Sequence, residues 1–463
     1  MAQASPTEPT QRLAQFAASL RYEDLPEKTR EHTKHLLLDA LACALAGDQG
    51  EETPQMTAVA AAIAQSREAS VIGGGHLSLV GATLLNGYLI TAVTMCDAHR
   101  PTMAHVTPEV VPPALAIAER DNNSGRDLLV ALAAGSEILT RIGLGLDYAS
   151  FRERGWHAPG VLGPFGAAAA VGRLRGFDAE TMARAFGLAG SQAAGTYAAW
   201  GTPSVKFHQC RGAVSGLLAA LLAETKFVAT REFLSAKDGG LFNCYVNGGK
   251  PGLATQDLGK HWELEQIALR QWPSASLQQG LNTALFDVLD KHKIEPASVK
   301  MLRVGMAPGA YDYHGKLPHY KGKFEALISA HYTAAVILHD RALTLAQFEP
   351  ARYDDPALRR FAETRVAITP DPALSAVQTT VEIELADGRK IAHRCDHARG
   401  SFENPMSRAQ VEEKFRTYAK SRLPPSRVEE TVDAVNRLED LPSARQLLEL
   451  LQSPHHAKSE RAA

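Results

Sequence analysis

The chain contains no Cys-x-x-Cys pair. Its five cysteines, Cys43, Cys96, Cys210, Cys244 and Cys395, stand far apart. That spacing argues against a structural zinc site and against a redox dithiol. An odd, scattered set fits a reducing compartment, so a cytoplasmic protein is expected. Net charge is also scarce: 49 basic against 51 acidic residues give a formal charge of −2. Neither a nucleic-acid surface nor a membrane surface is expected, and any anion site must be built locally. The first dozen residues are polar and lack the apolar centre of a signal peptide. No apolar run is read as approaching the roughly 20 residues a membrane helix needs. Gly73-Gly74-Gly75 is followed by no Lys-Ser/Thr and fits neither the P-loop nor GxGxxG, so it reads as a turn. There is no internal repeat.

What is present is a long, ordinary globular composition, 463 residues with 45% hydrophobic and 22% charged. That is enough for two or more domains. Residues 11–47 read as helical, with Leu13, Phe16 and Leu20, then Leu36, Leu37 and Leu41, at helical spacing and Gly47 as C-cap. Further apolar helices are expected at 58–65, 82–95, 110–120 and 127–143. The alanine-rich stretches 167–172 and 213–225 should let neighbouring helices approach closely. Near residue 265 the pattern changes. Residues 300–306, 364–368 and 379–385 alternate as strands do. Ala386-Asp387-Gly388-Arg389 is a hairpin turn leading into 390–394. Helices at 277–291 and 324–338 lie among these strands, and the chain is helical again from 407 to 452. The expected fold is therefore mainly α, with an all-helical domain from 1–264 and 401–463 and a smaller inserted α+β domain from 265–400. The last dozen residues read as disordered.

Two loops carry the chemistry. Gly155-Trp156-His157-Ala158-Pro159-Gly160 places a histidine before an alanine-rich helix, and Gly201-Thr202-Pro203-Ser204-Val205-Lys206 places a lysine before another. A histidine that titrates near neutrality and a lysine that can hold a carboxylate suit proton chemistry on an organic acid. In Asp97-Ala98-His99-Arg100-Pro101-Thr102-Met103-Ala104-His105, three side chains could be read as metal ligands. The spacing is neither tight nor helical, and neither a metal nor an organic cofactor is expected.

Several of these segments, taken in order, resemble the MmgE/PrpD family. They are Leu36-Leu37-Leu38-Asp39-Ala40-Leu41-Ala42 and Ala82-Thr83-Leu84-Leu85-Asn86-Gly87, then the 155–166 loop, then Gly187-Leu188-Ala189-Gly190-Ser191-Gln192 ahead of Lys206. Phe324-Glu325-Ala326 with Ser329 and Tyr332, then Asn404-Pro405 with Lys414-Phe415, complete the series. The resemblance implies a large helical domain from both chain ends, an inserted α+β domain and a homodimer. It implies a lyase acting on a small di- or tricarboxylic acid, of the 2-methylcitrate dehydratase or cis-aconitate decarboxylase type. An epimerase of the iminodisuccinate type, or a non-catalytic carboxylate-binding relative, is the alternative. His157, His105 and Tyr332 are implied as proton-transfer residues, and Lys206, Arg270, Asp97 and His208 as substrate contacts. The chain departs from the family at Thr94, where the decarboxylase branch has an aspartate, and at Ala98. It also departs at Arg270 and at Ala275 or Gln279, where a lysine and a histidine are usual.

Overall fold

The structure, a computed structural model, describes residues 8–63 and 66–453. The expectation for the tail beyond 453 lies outside the described residues. Two compact units result: residues up to Ala268 together with those from Ser407, and Leu269–Met406 between them. The expected boundaries at 264/265 and 400/401 fall at 268/269 and 406/407.

The first unit is helical. Its helices include α1 Pro9–Ser19, α2 Glu27–Ala46, α3 Thr53–Ile63, α4 Leu79–Thr91, α5 Thr107–Asp121, α6 Gly125–Gly145, α7 Tyr148–Glu153, α8 Ala158–Leu174, α9 Ala179–Gly190 and α10 Ser204–Glu224, with further helices after α10 and in the tail beyond Ser407. The stretch 11–47, expected as helical, forms two helices, and Pro26, which supplies no amide hydrogen, stands at the N-cap of the second. Two short pairs interrupt the helices: β1 Ala69–Ser70 with β2 His76–Leu77, and β3 Ala98–His99 with β4 Ile267–Ala268. Gly73-Gly74-Gly75 is the turn between β1 and β2, all three at positive φ.

Helix α6 corrects one expectation. At 21 residues it is long and apolar enough to cross a membrane, yet 94% of its most apolar stretch is buried within the protein. It starts in a capping box, with Ser124 Oγ accepting from the Asp127 amide and Asp127 answering at the Ser124 amide. It packs on α8 at small residues. A Cβ on Gly135 would lie 2.7 Å from the Gly166 carbonyl oxygen, so the backbones touch where side chains are absent.

The tail beyond Ser407 joins this unit through buried charge. Lys414 Nζ donates to Asp39 Oδ1 at 2.5 Å and to the Met95 carbonyl at 3.2 Å, with both side chains at most 3% exposed. Lys34, on the same α2, reaches Glu439 at 2.8 Å and the Asn436 carbonyl at 3.0 Å. The motif residues Asp39 and Lys414 are therefore one contact.

The second unit holds a four-stranded sheet in the order β6-β5-β7-β8, where β5 is Val299–Met306, β6 Val366–Pro370, β7 Thr379–Leu385 and β8 Lys390–Cys395. Only β5 and β6 run parallel. Val381, Ile383 and Leu385 alternate into a core shared with Leu281, Leu285, Ala334 and Ile337 of two helices. The helix expected over 324–338 is broken at Ser329. Its backbone is extended there, and its hydroxyl accepts the Tyr332 amide to start a new helix, Ala330–Asp340.

Candidate active site

His157 is the residue before the first turn of α8. Its backbone amide donates to the Gly195 carbonyl at 3.0 Å, which ties the loop before α8 to the turn after α9. The Trp156–Thr196 bridge and the Tyr197 amide on the Gly155 carbonyl at 2.6 Å complete this tie. His208 comes from the second turn of α10. The two imidazoles meet Nδ1 to Nδ1 at 2.9 Å. Two lone pairs cannot bond, so one ring donates and the other accepts.

The turn that aligns this pair is itself held. Arg211, three residues beyond His208 on α10, donates to the carbonyls of Gln192 at 2.7 Å, Ala194 at 2.6 Å and Gly160 at 2.8 Å. The Gly160 carbonyl is available because Pro164, four residues on, has no N–H to offer it. Gly195 has φ +129°, and a Cβ there would meet His208 Nδ1 at 3.1 Å. Arg211 is a strut for the 192–195 turn.

Burial, followed by the positive potential of His208, His105 and Arg152, pushes the His157 pKa down to about 3. It is neutral at pH 7. Burial and Arg211 lower His208 too. His105 lies within electrostatic reach of His157. Its Nδ1 is 2.7 Å from the Asp97 carbonyl oxygen. A carbonyl only accepts, so Nδ1 carries the hydrogen and Nε2 the lone pair.

The other expected residues are placed differently. Asp97 is wholly buried and caps α5: its carboxylate accepts from the Val106 amide at 2.7 Å and the Thr107 amide at 3.0 Å, and from the Thr107 hydroxyl. It is a helix cap and not the expected substrate contact, since its oxygens answer the exposed amides of a helix start. Lys206 is not in a loop but in the first turn of α10, where its ammonium donates to Glu52 at 3.1 Å; Glu52 also accepts from Tyr88 at 2.5 Å. Two residues along a helix project to different faces. Lys206 therefore leaves α10 away from His208, with its charge already matched. His99 contacts Thr102 at 2.8 Å and Glu263 at 2.9 Å, so Asp97, His99 and His105 do not converge on one point. His208 is the partner of His157.

In the second unit, Arg270 is 3% exposed and donates to the Ser274 carbonyl at 3.2 Å. Tyr332 is corrected from proton donor to core residue. It packs between Tyr320 and Phe348 and gives its hydroxyl to the Gln347 carbonyl.

Sequence reasoning missed Arg152 and Tyr197. The guanidinium carbon of Arg152 stands 3.4 Å over the Tyr197 ring, and that ring meets His157 edge-on at 5.7 Å. Arg152 lies only five residues before His157, but its seat is 45 residues away and no local spacing announces it. Glu109 was missed as well. Its carboxyl is wholly buried, both oxygens lack a hydrogen-bond partner, and it presses on Gly163 of α8.

A helical body of both chain ends, an inserted α+β unit and a buried histidine pair at the head of an alanine-rich helix define the class. Residues 11–254 match the MmgE/PrpD N-terminal domain and residues 272–440 the MmgE/PrpD C-terminal domain, so the chain belongs to the MmgE/PrpD family. It is 27% identical to the cis-aconitate decarboxylase of Aspergillus terreus, over 96% of both chains. It is 27% identical to the cis-aconitate decarboxylase-like protein oryM of Aspergillus oryzae, over 96% of this chain and 97% of that one. The human cis-aconitate decarboxylase is 25% identical over 96% of this chain and 95% of its own.

Proposed function

We propose that the chain is a lyase acting on a small di- or tricarboxylic acid, of the cis-aconitate decarboxylase or 2-methylcitrate dehydratase type. The observation that carries the reading is the His157–His208 contact of 2.9 Å, a buried neutral imidazole with a second imidazole behind it. The names of the relatives favour decarboxylation.

His208 occupies Nδ1 of His157, which leaves Nε2 for the substrate. In a dehydration, Nε2 takes the proton from the carbon beside a carboxylate. The electron pair moves onto that carboxylate as an enolate, then returns to form the double bond as hydroxide leaves. In a decarboxylation, the C–C bond breaks and carbon dioxide departs. Its bonding pair stays on carbon, which takes a proton from solvent relayed through His157 Nε2. A His157 imidazolium gives its Nδ1–H to His208, which steadies the charge. Water-poor surroundings strengthen each of these contacts.

Epimerisation is the second reading. The lone pair on His105 Nε2 is favoured by the 2.7 Å contact at Nδ1, and supplies a second base for the opposite face.

A homodimer is the proposed assembly. Phe207, Leu218 and Leu222 on α10 are exposed, as are Val59 and Ile63 on α3. An apolar set of this kind marks an interaction surface.

The reading is tested in heavy water with cis-aconitate, 2-methylcitrate, citrate and an aminodicarboxylate. Deuterium should enter one carbon beside a carboxylate, or carbon dioxide should be released. Absence of both with every acid would leave only a binding protein.

A further inference from the structure

We propose that Glu109 is a positioning residue for the His157–His208 pair and acts through Arg211: as a protonated acid it leaves the guanidinium holding the 192–195 turn, and as a carboxylate it draws the guanidinium away and loosens the turn. The inference needs the histidine pair but not the identity of the acid on which the pair works.

Two glycines of α8, three positions apart, seat the two groups. A Cβ on Gly160 would lie 3.3 Å from Nη2 of Arg211, and a Cβ on Gly163 would lie 2.6 Å from the carboxyl carbon of Glu109. Positions three apart on a helix are surface neighbours, about 5–6 Å between Cβ atoms. The guanidinium and the carboxyl therefore occupy adjacent seats on one face of α8. Each is unusual for a buried group. Glu109 is wholly buried, and neither of its oxygens has a partner. Arg211 forms no ion pair among the described residues. It gives its hydrogens to the Ser215 hydroxyl at 3.2 Å and to the carbonyls of Gln192, Ala194 and Gly160.

Burial, then the charge of Asp97, keeps Glu109 protonated against the pull of Arg211. A neutral acid competes weakly for a cation, so the guanidinium stays on the turn. A carboxylate in the adjacent seat offers charge-assisted bonds roughly twice as strong as those to carbonyls. The Ala194 amide shares the Gly160 carbonyl with Arg211, and the His157 amide is bonded to the Gly195 carbonyl. Withdrawing the guanidinium thus frees the glycine that lies against His208 Nδ1. Other ionisable groups leave this exchange to the pair. Asp97, ahead of α5, spends its carboxylate on capping that helix, and burial pushes Cys210 of α10 up to about 12. Tyr245, which also acts on Arg211, is raised by burial. Asp39 of α2, Tyr88 of α4 and Glu137 of α6 are matched by Lys414, Glu52 and Arg141.

The test follows backbone amide exchange of residues 191–197 by mass spectrometry from about pH 6 to 10, on the full chain and corrected for the intrinsic rate. Wild type should lose at least about tenfold in protection as Glu109 ionises, while peptides of α6 stay protected. Glu109→Gln, which keeps the shape of the protonated acid, should hold the pH 6 protection throughout. Glu109→Met, which needs no partner, gives the same reading if the amide disturbs the fold. Any acid that takes up deuterium should show the matching alkaline limb in wild type and none in Glu109→Gln. Wild-type protection that is constant to pH 10 overturns the proposal. So does a fall that persists in the Gln and Met variants, or one that α6 shares. The amide measurement needs no substrate, so failure of the lyase reading leaves this result standing.

Discussion

Nδ1 of His157 and Nδ1 of His208 share one hydrogen bond of 2.9 Å, so the two rings act as a unit with complementary tautomers. Replacing either ring leaves the other without its partner. His157→Gln should lower turnover about a hundredfold or more with the fold intact. His208→Gln should cost less, and mainly in kcat, because an amide can still meet Nδ1. Since burial and the charges of His208, His105 and Arg152 hold His157 near 3, the acid limb of kcat/KM should lie well below pH 6.5. Steady-state rates from pH 4 to 8 check both points. A limb at 6.5 to 7 would take His157 out of the role.

Gly195 gives the pair its room. Its φ of +129° disfavours any side chain, and a Cβ would press on His208 Nδ1. Gly195→Ala should reduce turnover by at least tenfold. Its circular dichroism spectrum should match wild type. Full activity in the folded variant would show that the rings do not need this alignment.

Lys414 and Asp39 pin the returning tail to α2 from within the core. Removing one charge leaves the other buried and unmatched. Lys414→Met should destabilise by roughly 3–5 kcal/mol. Asp39→Leu combined with Lys414→Met should recover much of that loss. Urea midpoints of the three proteins measure the difference.

Glu109 has no partner for either carboxyl oxygen. Burial first, and Asp97 second, raise its pKa well above the usual value, so the folded protein holds it protonated. The unfolded chain releases that proton near pH 4.5, so this group's contribution to stability is present at lower pH and is lost as pH rises. Glu109→Met has a similar volume and should stabilise by about 1–3 kcal/mol at pH 7. The gain should widen between pH 5 and 8. A gain independent of pH would contradict a buried protonated acid.

Leu218 and Leu222 share one stripe of α10, at 38% and 40% exposed. Leu218→Glu with Leu222→Glu should convert a dimer to a monomer in light scattering and leave the helical spectrum unchanged. An unaltered mass would place the contact elsewhere.

Much of the architecture was legible in the chain. Period-two alternation marks Thr379–Leu385, and the hairpin at Gly388 follows from its turn residues. Helices α4, α5 and α6 begin within three residues of their expected starts. Ser329 was harder to read, because a hydroxyl that caps one helix can equally sit inside another. Helix α6 was under-read as well. Its apolar length resembles a membrane span, and only its neighbours show it to be core.

The sequence by itself determined the helical class, the return of the tail and the inserted strands, because periodicity and turn chemistry act over a few residues. Which side chains meet was decided only by tertiary structure. His208 joins His157 across 51 positions, Lys206 joins Glu52 across 154, and Lys414 joins Asp39 across 375. Asp97 became a helix cap and Tyr332 a core ring for the same reason. A buried polar group bonds with whatever packing brings within about 3 Å, and local spacing carries no record of that choice.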